Sequence, residues 1–248
     1  MRFFREKPIN DPHQNQHTEQ QVRWGLPLAG WLITSLLVAL LYVAIIHPDL
    51  RLWRGVDTHG NTHRRAVALT FDDGPDPLWA PLIADTLERH GARGTFFLVG
   101  VDAQRYPEIA ARLARGGHQV GNHSMTHPYP NLTAFPPKQI SWEILNAAKL
   151  LQQFTRQQIV DFRPPGGGVN DALLRTAKAH GMRVAWWSQN AGDWSSPTPE
   201  LITSRLQRTL RPGSVMLLHE REHTVAALEN YLAGGVNTGY TYITFTEM

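Results

Sequence analysis

The sequence predicts an α/β fold, a parallel barrel of seven strands and six intervening helices, carried behind a single membrane helix. Three observations lead there. From Ala66 onward, short β-branched or aromatic runs alternate with longer amphipathic stretches, the pattern of βα repetition. The strand candidates stop at seven, one short of the eight-stranded barrel. Gly25 to Ile46 forms a 22-residue run without a charge, unlike anything after it. A doubly wound open sheet has the same order of elements and is the competing architecture.

Along the chain, Met1 to Trp24 is polar, rich in Gln and His, and without apolar periodicity, so it reads as a disordered tail. Gly25 to Ile46 as a helix would span about 33 Å at about 1.5 Å per residue, against a bilayer core of about 30 Å. A cleaved signal peptide has a shorter apolar region, about 7–15 residues, and a buried core helix rarely stays apolar all round for such a length. A transmembrane anchor is therefore expected. Arg2, Arg5, Lys7 and Arg23 before it are matched by Arg51, Arg54, Arg64 and Arg65 after it, so charge does not orient it. His47 to Arg65 carries Gly, Pro and charge without a pattern and reads as a tether.

The predicted domain covers 66–248. Its strands are Ala66 to Phe71, Gly94 to Val99, His118 to Asn122, Ile159 to Arg163, Arg183 to Ser188, Ser214 to His219 and Thr241 to Phe245. The helical patterns between them are LWAPLIADTLERHG, YPEIAARLARGG, SWEILNAAKLLQQF, DALLRTAKAHG, PELITSRLQRTL and TVAALENYLAGG, several closed by a Gly at C′.

Composition excludes several classes. With 24 basic and 21 acidic residues the net charge is +3, too even for a protein that reads a nucleic-acid backbone, so no nucleic-acid partner is expected. The absence of cysteine removes disulfides, thiolate metal sites and a Cys nucleophile. Twelve histidines make imidazole chemistry the first question.

In a parallel βα architecture, chemistry gathers where strands end. Asp72 and Asp73 follow the first strand, and His123 and His127 the third. The fourth ends in Arg163, Asp193 and Trp194 follow the fifth, and the sixth ends in His219 and Glu220. Five loops thus converge on one rim. Adjacent residues at a strand end point to opposite sides, so one Asp can take a metal while the other serves as a base, although Asp-Gly-Pro also suits a plain turn. The i, i+4 spacing of His123 and His127 puts both imidazoles on one face of a helix. With one Asp they make a two-nitrogen, one-oxygen set suited to zinc or another divalent transition metal. Arg163 at the end of an apolar strand needs a carboxylate, and Asp72 is the available one. His219 closes an apolar run as a candidate general acid with Asp193 to orient it, or as a packed core histidine. Trp53, Trp79, Trp142, Trp186 and Trp187 read as packing, and Trp194 as lining the site.

In this order TFDDGP (Thr70 to Pro75), HSMTH (His123 to His127), RPPGGG (Arg163 to Gly168), DW (Asp193, Trp194) and LLHE (Leu217 to Glu220) resemble the five motifs of the NodB-type polysaccharide deacetylases, carbohydrate esterase family 4. The resemblance covers about Ala66 to Met248. It implies a distorted (β/α)7 barrel and a metal-dependent hydrolase that removes N-acetyl groups from GlcNAc-type sugars, with one divalent ion, zinc first, then cobalt, manganese or nickel. Carried over, Asp72 looks like the catalytic base, Asp73, His123 and His127 like the metal triad, and Arg163 like the base's partner. Asp193 would tune His219, the general acid. Trp194 and Leu217 would form the acetyl-methyl pocket, and the Gly166 N–H would serve the oxyanion. Two positions depart from the motifs: Gly166 stands where an aromatic is usual, and Glu220 where the family has Asp.

The resemblance implies a glycan substrate, peptidoglycan or a chitin-like oligomer, and with the anchor a single-pass membrane protein whose catalytic domain is extracytoplasmic. Deformylation or deacetylation of a lipid-linked aminosugar is the nearest alternative. An inactive sugar-binding module on the same barrel is the alternative from another class. It would be marked by a missing base, ligand or acid, and none is missing.

Overall fold

In the computed structural model the described residues are 25–46, 55–60, 63–129, 132–195, 197–234 and 239–248. They belong to two units, Met1–His47 and Pro48–Met248. The predicted tail Met1 to Trp24, most of the predicted tether, and Trp53 lie outside the described residues. In the first unit α1, Gly25–Ile46, is helical over the whole uncharged run. Its side chains are described for 30–40, all exposed. Over the part of α1 whose side chains are described, 30–40, and in the other described helices, no stretch is long and apolar enough by itself to cross a membrane.

The second unit is built on an all-parallel curled sheet. Its strands are β1 (Val56–Asp57), β2 (Ala66–Gly74), β3 (Gly94–Leu98), β4 (Gln119–Asn122), β5 (Asp161–Phe162), β6 (Arg183–Ala185), β7 (Gln189–Asn190), β8 (Val215–His219) and β9 (Thr241–Tyr242). They run in the order β1-β6-β5-β4-β3-β2-β8-β7, with β9 against the start of β2. Starting at β2, one side ascends through β3 to β6 and the other descends from β8 to β7. That is the circular order of a barrel, and it removes the doubly wound alternative, in which both sides ascend. The barrel is nonetheless a half-barrel in its pairing, with β1 and β7 at the sheet edges. The predicted strand Arg183 to Ser188 splits at this seam: β6 pairs with β5, while Ser188 already donates to Val215 O and β7 pairs with β8. Trp186 and Trp187 therefore carry the chain across the opening.

The strongest strands are those whose sequence is apolar without interruption. β2 and β3 are buried on both faces almost throughout, and so is β8 up to His219. Helices α2 (Trp79–Arg89), α4 (Pro107–Arg115), α5 (Pro137–Thr155), α6 (Asp171–Ala179), α7 (Pro199–Thr209) and α8 (Glu222–Ala233) occupy the six predicted positions, and a short α3 (Gly100–Arg105) precedes α4. Gly91, Gly117 and Gly181 sit just beyond α2, α4 and α6 at φ of 65°, 79° and 70°, the left-handed turn that favours glycine there. The predicted last strand is cut to two residues because Thr244 caps a 3-10 turn over Phe245–Glu247. The sheet also begins ahead of the predicted domain start, since Val56 and Asp57 pair with Val184 and Ala185.

At the end of the barrel remote from the strand C-termini, the fully buried Asp161 accepts from Arg183 Nε at 2.8 Å, from Thr246 Oγ1 at 2.6 Å and from Gln119 Nε2. This cluster joins β4, β5 and β6 to the C-terminal turn. Asp161→Ala is expected to lower the unfolding free energy by about 2–4 kcal/mol, short of a fully buried pair because Arg183 is partly exposed. Denaturant melting measures it, and a loss below about 1 kcal/mol would show that the cluster does not hold this end.

Candidate active site

The site starts with a break in β2. The β2–β3 register shifts between Phe71 and Gly74, and Asp73 has φ 69°, uncommon for a residue with a side chain. The bulge corrects the expectation that the two aspartates point to opposite sides. Both line one cavity, Asp72 buried and Asp73 with its side chain 41% exposed. Asp72 also stands in register with His219 on β8.

His123 and His127 are not on a helix, contrary to the expectation from their spacing. The segment after β4 is a loop with left-handed backbone at Ser124 (φ 70°) and His127 (φ 50°), and this turn, rather than a helical one, brings the rings to 5.1 Å between centroids. Ser124 N–H donates to Asn122 Oδ1 at 2.8 Å, and His127 N–H to Ser124 Oγ at 3.0 Å. Asp73 Oδ1 lies 3.3 Å from His123 Nε2 and 3.2 Å from His127 Nε2. The three ligand atoms lie within 4.8 Å of one another.

These residues fit a divalent cation. Ligand bonds of about 2.0–2.2 Å put the ligand atoms of a tetrahedral or octahedral ion roughly 3–3.5 Å apart. His123 Nδ1 is 2.8 Å from the Arg163 carbonyl oxygen, which accepts its hydrogen, so Nε2 is the ring nitrogen that faces Asp73 and that would hold a cation. Burial pushes the Asp73 carboxyl up, but hydrogen bonds from His123 and His127 outweigh it and hold the group well below the usual carboxylate range. The hydrogen bond to Asp73 raises His127 above the ordinary histidine value.

Arg163, directly after β5, has no accessible surface. Its Nη1 donates to Asp72 Oδ1 at 2.8 Å and to Thr70 Oγ1 at 2.7 Å, its Nη2 to Trp186 O at 2.9 Å, and its guanidinium lies 4.1 Å from the Phe97 ring centroid. His219 Nδ1 lies 2.8 Å from Asp193 Oδ1, while Asp193 Oδ2 accepts from the His219 N–H at 2.6 Å and from Thr224 Oγ1 at 2.8 Å. With Nδ1 engaged, Nε2 is the ring nitrogen left for the cavity. Burial lowers the His219 pKa, but the hydrogen bond and charge of Asp193 outweigh this, and the net shift is upward.

The cavity, about 320 Å³, is lined by Asp72, Asp73, His123, His127, His219, Gly166, Trp194 and Leu217, all expected there. Arg163 and Asp193 stand behind this lining. Gly167, Trp187 and Asn190 line it as well and were not expected. Trp187 packs as expected, against the core cluster of Ala68, Phe97, Ala185, Val215 and Phe245, and it also faces the cavity, stacked on Trp186 at 4.3 Å between centroids. A Cβ on Gly167 would meet Trp187 at 2.9 Å and Trp186 at 3.0 Å, so the RPPGGG turn needs glycine to pass this stack. Trp142, also read as packing, is half-exposed on α5. Glu220, next to His219, accepts from the Asp76 N–H and is pushed well above the usual carboxylate range by burial.

The polysaccharide deacetylase family model matches residues 59–185. A peptidoglycan-N-acetylglucosamine deacetylase of Bacillus cereus is 35% identical over 192 residues, 75% of this chain and 89% of that protein. A chitooligosaccharide deacetylase of Sinorhizobium fredii is 33% identical over 190 residues, 71% of this chain and 87% of that one. Among solved structures, a mutant of BA3943, a CE4 family pseudoenzyme with restored enzymatic activity, superposes with a TM-score of 0.72 at 28% identity, covering 77% of this chain and 69% of its own. By the family match over half its length and by these relatives, the chain belongs to the polysaccharide deacetylase family.

Proposed function

We propose that this protein is a metal-dependent N-deacetylase of GlcNAc-containing glycan, peptidoglycan or a chitin-like oligomer, held at a membrane by Gly25–Ile46 with its barrel on the extracytoplasmic side. One observation carries the reading: the Asp73, His123, His127 cluster opens on the same cavity as Asp72 and His219, and each of those two is fixed by its own buried partner. The activities of the two deacetylases reported above support the substrate class. BA3943 is evidence that the fold also occurs without activity, and the full set of Asp72, Asp73, His123, His127 and His219 in this chain supports the active reading.

Asp73, His123 and His127 would hold a divalent ion such as zinc, which would supply Lewis-acid polarisation of the amide carbonyl and of the attacking water, the two effects a poor electrophile such as an amide requires. Asp72 takes the proton of the attacking water. Its Oδ1 is tied to Arg163 and its Oδ2 lies on the side of His123, 3.9 Å from Nε2, so the carboxylate is held at one orientation. The N–H of Gly166 serves the oxyanion, and Trp194 and Leu217 form the apolar wall for the acetyl methyl. His219 Nε2 protonates the departing amine, with Asp193 supporting the imidazolium. The products are acetate and a free amino sugar.

The test is acetate release, with mass spectrometry, by the full chain in detergent on GlcNAc oligomers, peptidoglycan fragments and O-acetylated xylan. Release from either of the first two, lost on chelation and restored by a divalent ion, is expected. Full activity in a metal-free protein, or release from xylan alone, would refute the reading. Asp72→Asn should cost about 10²–10⁴-fold in kcat and keep the ion, whereas Asp73→Asn should lose affinity for the ion as well, a difference that metal analysis reads directly.

The acid's pKa gives a second outcome. His219 must be protonated to act, so its raised pKa extends activity to higher pH, and removing the group that raises it must shorten that range. Asp193→Asn should therefore move the alkaline limb of kcat/KM to lower pH. An unmoved limb would take His219 out of the acid role. For the membrane arrangement, a reporter active only outside the cytoplasm, fused at Met248, should be active, and the mature chain should retain Met1 to Trp24. A mature N-terminus beyond Ile46 would show that the apolar helix is removed.

A further inference from the structure

We propose that Glu143, a residue of α5 outside all five motifs, is the positioning residue of the His123–His127 loop and sets how tightly the site takes its cation. This rests on the reading of Asp73, His123 and His127 as a metal site. Glu143 is 2% exposed. Every hydrogen bond found for its side chain goes to two of the three residues between the histidines: Oε2 accepts from the Met125 N–H at 2.9 Å and the Thr126 N–H at 2.8 Å, and Oε1 from Thr126 Oγ1 at 2.6 Å.

The loop needs such an acceptor. Its backbone is left-handed at Ser124 and at His127, so it forms no ladder that would satisfy its amides. All four N–H groups from Ser124 to His127 are taken by side chains instead. Asn122 and Ser124 take two of them, but both belong to the same stretch of chain and move with it. Glu143 takes the other two from another element, and so ties the loop to the barrel wall. On the carbonyl side, Gly100 and Val101 of α3 donate to Ser124 O and Met125 O.

The two histidines differ in how much they depend on this. His123 has its own anchor, Nδ1 on Arg163 O, and is buried. His127 has a side chain 40% exposed, and its place is set by the loop backbone. Loss of Glu143 therefore bears on His127 first. A carboxyl on the inner face of α5, beside Ile140, Ile144 and Ala147, is unfavourable for helix packing alone. Its retention is accounted for by the amides it holds.

The experiment uses the full chain in detergent and compares wild type, Glu143→Met, Glu143→Gln and Thr126→Val. Co²⁺ and Zn²⁺ affinities are measured by chelator competition, with the Co²⁺ visible spectrum and the melting temperature of the metal-free protein alongside. Glu143→Met keeps the volume and removes both oxygens. It should weaken binding about 10–100-fold and alter the Co²⁺ spectrum, the scale on which supporting shells act. Glu143→Gln keeps an acceptor oxygen for the two amides and should stay within about threefold of wild type. Wild-type affinity and spectrum in Glu143→Met, whatever its melting temperature, would overturn the proposal and leave Glu143 a packing residue. If Glu143→Met does not fold, Thr126→Val decides in its place, a measurable loss of affinity supporting the assignment and none overturning it. Failure of the wild type to bind either ion would refute the metal site itself, a result distinct from the others.

Discussion

A guanidinium without accessible surface persists only where its charge is met inside the protein, and the way Nη1 and Nη2 of Arg163 are met, with Nε left without a partner, decides the geometry of this site. Thr70 and Asp72 reach it from β2, the Trp186 carbonyl from the seam of the barrel, and the Phe97 ring from β3. Its own carbonyl receives His123 Nδ1. One residue thus fixes the orientation of the proposed base, the tautomer of a proposed ligand, and the crossing between β6 and β7. Replacing Arg163 by an apolar residue would leave Asp72 buried without a counter-charge, so fold and site are coupled here.

How far the sequence carries depends on whether a feature is local. β2, β3 and β8 are legible because a strand buried on both faces is a continuous apolar run, and the six long helices because their apolar period and, in several, a closing glycine are local signals. β1 and β7 are two residues each and are strands only through their neighbours, while α3, six residues long, is too short to show a period. The motif residues are legible by type and position at strand ends. Their orientation is not: HSMTH has the spacing of a helical pair but folds as a left-handed turn, and the bulge at Asp72–Asp73 overrides strand alternation. Glu143 is invisible for a different reason. A Glu on an amphipathic helix reads as solvated, and its partners are backbone amides that no side-chain pattern records.

The two departures from the family motifs have structural readings. Glu220 follows His219 and reaches the turn after β2, accepting from the Asp76 N–H, while its carboxyl packs so closely on Gly74 that a Cβ there would collide with it. The two segments that bear Asp72 and His219 are thereby tied together beyond the end of the sheet, and glycine at 74 is part of that contact. Gly166 has φ 62° and no ring, and Gly167 passes beneath the tryptophan stack. The aromatic surface on the cavity comes from Trp187 and Trp194, the latter 60% exposed. The aromatic surface of this rim thus comes from the segment around the fourth motif and not from the third.

Backbone strain locates the same centre without reference to side-chain chemistry. Among the described residues, four that are not glycine have positive φ: Asp73, Ser124, His127 and Arg156. Arg156 is explained as the C-cap of α5. The remaining three all belong to segments that carry proposed ligands, and two of them are proposed ligands themselves. Such conformations cost about 1–3 kcal/mol each and persist where the surroundings over-determine them. Here the surroundings are on view: the register shift of β2 for Asp73, and Asn122, the Ser124 side chain and Glu143 for the histidine loop. The strained backbone brings three donor atoms within 4.8 Å of one another, which explains why the strain is kept where it is.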